Sequence, residues 1–432
     1  MSEIQSNHRA LTRRLGVGGA VLMGLGSIVG TGVFVSLGLA ADLAGPAMVL
    51  ALVVAAVLAA FNGLSSAQLA ATFPVSGGTY EYAWRTIGPG TGFTAGWMFL
   101  TAKSASAATA ALGFAGYGLH LVGGDAARYT VPVALLGVAL VTATVYGGIQ
   151  RTHVVNTVVV SITLAVLATL VAVGLPTAFG AGRHHLVPFV PAYADAPAML
   201  EAAALLFVAY TGYGRIATLG EEVVDPRRTI PWAIVTALVL VLALYVGVAL
   251  AALGALGADG YAAATRETAA PLQAVARALG HGWLAWALGA AAITAMLGVM
   301  LNLVLGLSRV LLAMARRNDA PGLFARVDES GTTPGPAVIA TGLFVGVLAL
   351  LGDVKATWSF SAFSVLVYYA ITNVAALRLP PEHQLFPRWI AWAGLAGCAF
   401  LAVWVEPVYW AVGLALLGAG HLLRSFARAR GH

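Results

Sequence analysis

The residues best placed to do chemistry in this chain are backbone groups freed by glycine and one lysine in apolar surroundings. Gly24, Gly26, Gly30 and Gly32 fall within nine residues of a long apolar segment, with Ser27, Val29 and Thr31 between them. Each glycine weakens a helix by about 1 kcal/mol relative to alanine, so this segment is built to break midway. A break exposes unpaired N–H and C=O groups to whatever fills the gap. The N–H end carries about half a positive charge and suits a carboxylate, whereas exposed carbonyls suit an ammonium group. A second interruption reads Tyr210-Thr-Gly212-Tyr-Gly214-Arg215. Lys103 stands among small residues in Thr101-Ala-Lys-Ser-Ala-Ser-Ala-Ala-Thr109. A charged lysine at the centre of a bilayer costs at least ~3 kcal/mol, and withdrawal from water is what lets a lysine trade its proton in the physiological range. Lys103 is therefore a candidate proton-coupling or gating group. The competing reading is a lysine that snorkels to a nearby interface.

The elements that must position these groups are membrane helices. The chain has 432 residues, 60% hydrophobic and 9% charged, against about 25% charge in a soluble domain. Taking ~20 apolar residues per crossing, the sequence predicts an all-α polytopic protein with about twelve transmembrane helices. They lie near 16–42, 46–71, 92–120, 130–148, 154–176, 200–220, 230–257, 284–314, 335–352, 356–378, 389–405 and 408–425. Residues 73–90 and 260–281 are too polar to span and suit interfacial helices. No cleavable leader is apparent, because residues 1–14 are polar.

Twelve crossings from a cytoplasmic N-terminus place 17 of the 23 lysines and arginines inside. Five (Arg128, Arg183, Arg266, Arg277 and Lys355) fall outside, and Lys103 lies in a span. That asymmetry orients a multi-pass protein of the cell (inner) membrane with both termini cytoplasmic. The net charge of +6 then reflects topology and lipid headgroups, and no nucleic-acid partner is expected. The single cysteine, Cys398, excludes an intrachain disulfide. The nine histidines show no ligand spacing, so neither a metal nor a cofactor is expected.

Spans one and six are both broken, five spans apart. An odd repeat length makes the second half enter the membrane with opposite polarity, and paired breaks of this kind point to an inverted-repeat transporter with a midplane site. The competing reading is tight helix packing through small residues. The expected organisation is a tail (1–15), a first five-helix repeat (16–176), a second, inverted repeat (197–378), two additional helices (388–425) and a C-terminal tail (426–432).

The motifs now identify a resemblance. Gly26-Ser-Ile-Val-Gly30-Thr-Gly32-Val-Phe34, Phe73-Pro-Val-Ser-Gly-Gly-Thr-Tyr80 and Gly96-Trp97 are followed by Ala209-Tyr-Thr-Gly-Tyr213 and Ala217-Thr-Leu-Gly-Glu221-Glu222-Val-Val-Asp-Pro226. Ile230-Pro231, Leu307-Ser-Arg309 and Thr333-Pro334 complete the series. In this order they resemble the amino acid–polyamine–organocation (APC) transporters over essentially the whole chain. The resemblance implies five-plus-five inverted repeats as in the LeuT-like fold, two extra helices, and secondary transport of amino acids or related amines. It implies a substrate carboxylate on the backbone of Val29, Gly30, Thr31 and Gly32, where the first half-helix ends near Ser27. It also implies an amine on carbonyls around Val208, Ala209, Tyr210 and Thr211. Glu221 and Glu222 correspond to inner-gate acids, with Arg13, Arg14 or Arg85 as partners.

Two departures bear on mechanism. Many proton-coupled relatives carry a lysine in span five about seven residues after an asparagine; here the asparagine is Asn156 and the lysine position is Thr163. Lys103 stands in as the coupling candidate from another helix. Relatives often have an acid two residues after the span-six glycine, whereas this chain has Gly214 and then Arg215. A cation there repels a cationic substrate and favours neutral or anionic amino acids; pairing of Arg215 with Glu221 or Glu222 is the structural alternative. The expected function is proton-coupled amino acid symport by alternating access. An exchanger without proton coupling is the nearest rival, and a sodium-driven route stays open at this level. A channel would need a continuous polar lining, and a membrane-embedded enzyme would need a nucleophile–base or metal set that the spans do not supply.

Overall fold

The computed structural model describes residues 15–73, 77–148, 153–217, 223–328 and 333–429. Helix dominates. In chain order the helices are α1 (Val17–Ile28), α2 (Leu37–Ala44), α3 (Met48–Thr72), α4 (Thr79–Thr86), α5 (Pro89–Val122), α6 (Ala126–Tyr146), α7 (His153–Phe179) and α8 (Ala196–Tyr210). They continue as α9 (Gly214–Ala217), α10 (Pro226–Thr268), α11 (Pro271–Ala278), α12 (Gly282–Arg316), α13 (Gly335–Ala349), α14 (Val354–Leu377), α15 (Arg388–Val403) and α16 (Pro407–Ala429). Among the described residues there is no strand, and extended pairing is limited to an isolated parallel bridge between Leu15 and Val223.

Eight stretches of the described chain are long and apolar enough to cross a bilayer. The remaining expected crossings are short, fused or bent. α1 is 12 residues long and α13 is 15. The helix pair α15 and α16 turns through 114°. Residues 32–72 run as one apolar stretch, yet Gly45 (φ +53) and a 3-10 turn over Gly45–Ala47 separate α2 from α3. α10 likewise loses helical geometry at Gly257 (φ +69), where the seventh apolar segment ends, and resumes along the first of the polar residues expected at an interface. The other polar stretch contains α4, with Glu81 in its first turn and Arg85 in its last, which is the charge order a helix dipole favours.

α5 packs against α12 and α14, and α10 packs against α7, α3 and α1. Small residues explain the close approach: Ala102, Ala105, Ala107, Ala108, Ala110 and Ala111 of α5 are all fully buried. Lys103 is embedded within this alanine-lined stretch.

Candidate functional site

The break in span one forms where the glycines predict it. α1 ends at Ile28, Val29 is extended (φ −80, ψ 98), and the chain re-enters helix through a π turn over Gly32–Ser36. The Gly30 carbonyl accepts from the Val33 and Phe34 amides, each at 3.1 Å, which starts the second half. Tyr245 of α10 donates to the Ile28 carbonyl at 3.0 Å and lies 3.5 Å from the Ala209 carbonyl, so one hydroxyl ties both breaks together.

The break in span six is gentler. α8 passes through a 3-10 turn over Thr211–Tyr213 into α9. Here glycine is required sterically: a Cβ on Gly212 would run into the Ser27 carbonyl and the Ile28 amide nitrogen, so the two breaks touch backbone to backbone. A Cβ on Gly32 would lie 2.8 Å from that of Ala209.

A cavity of about 360 Å³ opens at this crossing, within the ~300–1,000 Å³ typical of small-molecule sites. Of the residues expected to bind substrate, Ser27, Thr31, Gly32, Val208, Ala209 and Thr211 line it. Val29, Gly30 and Tyr210 stand beside it: Tyr210 is buried, donates to the Leu52 carbonyl at 3.3 Å, and packs on Tyr245 at 5.5 Å between ring centroids. Thr31 is 4% exposed, and its hydroxyl has no hydrogen-bond partner.

Lys103 lies in the same cavity, 8% exposed, with Nζ donating to Thr211 Oγ1 at 2.8 Å. It does not snorkel. The Thr211 hydroxyl in turn donates to the Val208 carbonyl at 2.7 Å, and Tyr369 donates to the Thr211 carbonyl at 3.3 Å. Arg215 also lines the cavity, as does Arg309 of α12. Asn156 lies against Gly26 and donates to Met23 Sδ at 3.9 Å. Thr163 is buried and bonded within its own helix to the Val159 carbonyl at 2.8 Å.

The cavity runs from the breaks past Tyr82, Ala217 and Arg309. Beyond the breaks in the other direction the helices are bolted together. Ser106 meets Ser361 at 2.8 Å, Thr109 donates to Thr357 at 2.8 Å, Trp358 donates to the Leu205 carbonyl at 2.9 Å, and Tyr117 donates to the Phe34 carbonyl at 2.8 Å.

Glu221 and Glu222 lie outside the described residues, as do Arg13 and Arg14. The expected pairing of Arg85 with Glu221 or Glu222 therefore lies outside the described residues; Arg85 donates to Glu81, one turn earlier on α4, at 2.7 Å. Arg317 joins the same carboxylate at 2.7 Å and stacks on Trp84 at 3.9 Å. Nearby, Asp319 accepts from Arg424 at 2.8 Å and Tyr80 at 3.0 Å. The Arg85–Glu81 pair is local, spaced i,i+4 on one helix.

Sequence reasoning missed Phe99, Ser106, Asn302, Trp358, Tyr368 and Tyr369 as cavity residues. Their spans were expected to line the site, but which face of a long apolar helix turns inward depends on its rotation. The hydroxyl-bearing Trp358-Ser-Phe-Ser361 run was the available signal.

Comparison with known proteins agrees with this architecture. The family model described as amino acid permease matches residues 19–422. An uncharacterized transporter of Mycobacterium tuberculosis is 42% identical over 411 residues, covering 95% of this chain and 90% of that protein. The branched-chain amino acid permease BcaP of Bacillus subtilis is 29% identical over 404 residues, 89% of this chain and 84% of that protein. Cationic amino acid transporter 3, mitochondrial, of Arabidopsis thaliana is 26% identical over 408 residues, 89% and 66% respectively. The chain belongs to the amino acid permease family within the APC superfamily. It is a polytopic membrane transporter of amino acids and not an enzyme.

Proposed function

We propose that this protein carries amino acids across the cell (inner) membrane by alternating access, with protons moving in symport and neutral amino acids preferred. The observation that carries the reading is the Lys103–Thr211 hydrogen bond of 2.8 Å. It brings the one lysine of span three to the break of span six, inside the cavity that span one also lines. A titratable group at the crossing of two broken helices is where a proton can bias which way the cavity opens.

Other features support the same scheme. The cavity continues from the breaks past Tyr82, Ala217 and Arg309, while Ser106–Ser361 and Thr109–Thr357 hydrogen bonds tie α5 to α14, an asymmetry in keeping with one half of an alternating cycle. The breaks sit in corresponding segments of residues 16–176 and 197–378, in keeping with inverted five-helix repeats followed by two helices over 388–425. Thr31, Gly32 and the carbonyls of Val208 and Ala209 serve the carboxylate and the amine. The absence of a carboxylate among the described cavity residues, with Arg215 and Arg309 present, disfavours a cationic substrate. The branched-chain permease relative fits the neutral preference. The bias of lysine and arginine toward one side supports cytoplasmic termini.

The test is uptake into proteoliposomes across an amino-acid panel, with and without an imposed pH gradient, repeated for Lys103→Ala. Saturable uptake that the gradient drives in the wild type and not in the variant is expected. An unchanged pH response in Lys103→Ala would refute the coupling assignment. One observation favours a second reading, exchange without proton coupling: Thr163 occupies the span-five lysine position and is sealed into its own helix. Uptake that needs internal amino acid and ignores the pH gradient would identify that mode.

A further inference from the structure

Lys103 is buried, and among the described residues no carboxylate lines its cavity. Its ammonium has three N–H donors, and Thr211 takes one. The groups that face it can be named element by element. α12 presents Arg309, α14 presents Tyr368 and Tyr369, α4 presents Tyr82, and the end of span six presents Arg215. α1, α3, α6, α10, α13 and α16 contribute no charged or titratable lining residue among those described. Two of the described acids on the side of α4 are engaged: Glu81 by Arg85 and Arg317, and Asp319 by Arg424 and Tyr80. A buried charge is strongly unfavourable unless paired.

We propose that Lys103 is a direct ligand of the substrate carboxylate, so that the proton and the substrate share one site. The inference rests on the transport reading above and adds a role for this side chain within it. The other half of the carboxylate site is independent of Lys103. Thr31, 4% exposed, lines the cavity at the start of the second half-helix of span one, and its buried hydroxyl has no hydrogen-bond partner. Span six brings Lys103 to it, because Gly32 packs against Ala209, two residues before Thr211. A carboxylate held between the Thr31–Gly32 turn and the Lys103 ammonium supplies the missing counter-charge. Such charge-assisted hydrogen bonds are about twice as strong as neutral ones. Substrate binding then favours the protonated lysine, and the protonated lysine favours substrate, which is the linkage symport needs.

The experiment measures binding to purified full-length protein in nanodiscs. The probes are the panel amino acid with the highest uptake, leucine first, and its α-carboxamide, leucinamide in that case, between pH 6 and 8.5. The wild type is expected to prefer the acid over the amide by at least about tenfold and to bind the acid more weakly as pH rises. Lys103→Gln is expected to lower that preference at least about tenfold, through weaker acid binding. Lys103→Arg stays charged and is expected to keep the preference while losing the pH dependence. An acid-to-amide ratio in Lys103→Gln within about twofold of wild type would overturn the proposal. If that variant does not fold, a pH-independent wild-type affinity, or an equal pH dependence in Lys103→Arg, overturns it instead. Absence of wild-type uptake for every amino acid refutes the transport reading; normal wild-type uptake with an unchanged ratio in Lys103→Gln refutes this inference alone.

Discussion

Span one breaks by unwinding, whereas span six breaks by tightening. Val29 leaves the helical region altogether (ψ 98), while Tyr210, Thr211 and Gly214 keep right-handed dihedrals through a 3-10 turn. The sequences differ to match. Span one spends four glycines on nine residues, and three of them, Gly24, Gly26 and Gly30, abut side chains: Ile216, Asn156 and Val299. Gly212 in span six abuts backbone, the Ser27 peptide itself. Glycine therefore has two separate uses in this site. In span one it lowers helix stability so that the N–H end of the second half is exposed. In span six it supplies the clearance that lets the two breaks touch, and the carbonyls stay ordered enough for Thr211 to bridge Lys103 and Val208.

Three substitutions can break or sharpen this contrast. Gly212→Ala should have the largest effect, because a methyl group there meets rigid backbone. Destabilisation of about 3 kcal/mol, the upper part of the overpacking range, is expected. A lowered melting temperature in detergent together with lost uptake would show it. Tyr245→Phe comes next: removing the hydroxyl that holds Ile28 and Ala209 should cost about 1 kcal/mol. That corresponds to roughly fivefold weaker substrate binding if the tie between the breaks orders the site, measured as the KM of uptake. Gly30→Ala should be mildest. Its Cβ would sit 2.6 Å from Val299 Cγ2, the end of a side chain that can rotate away, so a loss of about 1 kcal/mol or less is expected. If thermal shifts ranked Gly30→Ala with Gly212→Ala, the distinction between side-chain and backbone clearance would fail.

The same contrast shows how much was legible beforehand. Broken helices could be read from glycine spacing, since helix propensity is local and a break in lipid needs a burial partner. Lys103 could be flagged because charge in an apolar run is rare. Its destination could not: the distance from span three to Thr211, 108 residues further along the chain, is set by how α5 packs against its neighbours. The inward faces of α12 and α14 were unreadable for a related reason. Both helices are apolar over most of their circumference, so apart from the serines beside Trp358 no pattern marks the side that turns to the cavity. The Arg85–Glu81 pair was legible from the i,i+4 spacing alone.

What the sequence determined by itself is the set of local facts. The chain is helical and membrane-spanning because apolar runs of bilayer length bury their own backbone groups only as helices, and spans one and six are interrupted because glycine makes them so. Tertiary structure alone decided that the two interruptions meet, that Tyr245 fastens them together, and that the lysine of span three ends at Thr211 with no acid beside it among the described residues. Those outcomes depend on helix rotation and on contacts between residues remote in the chain, and interhelical packing settles such relations over the whole bundle at once.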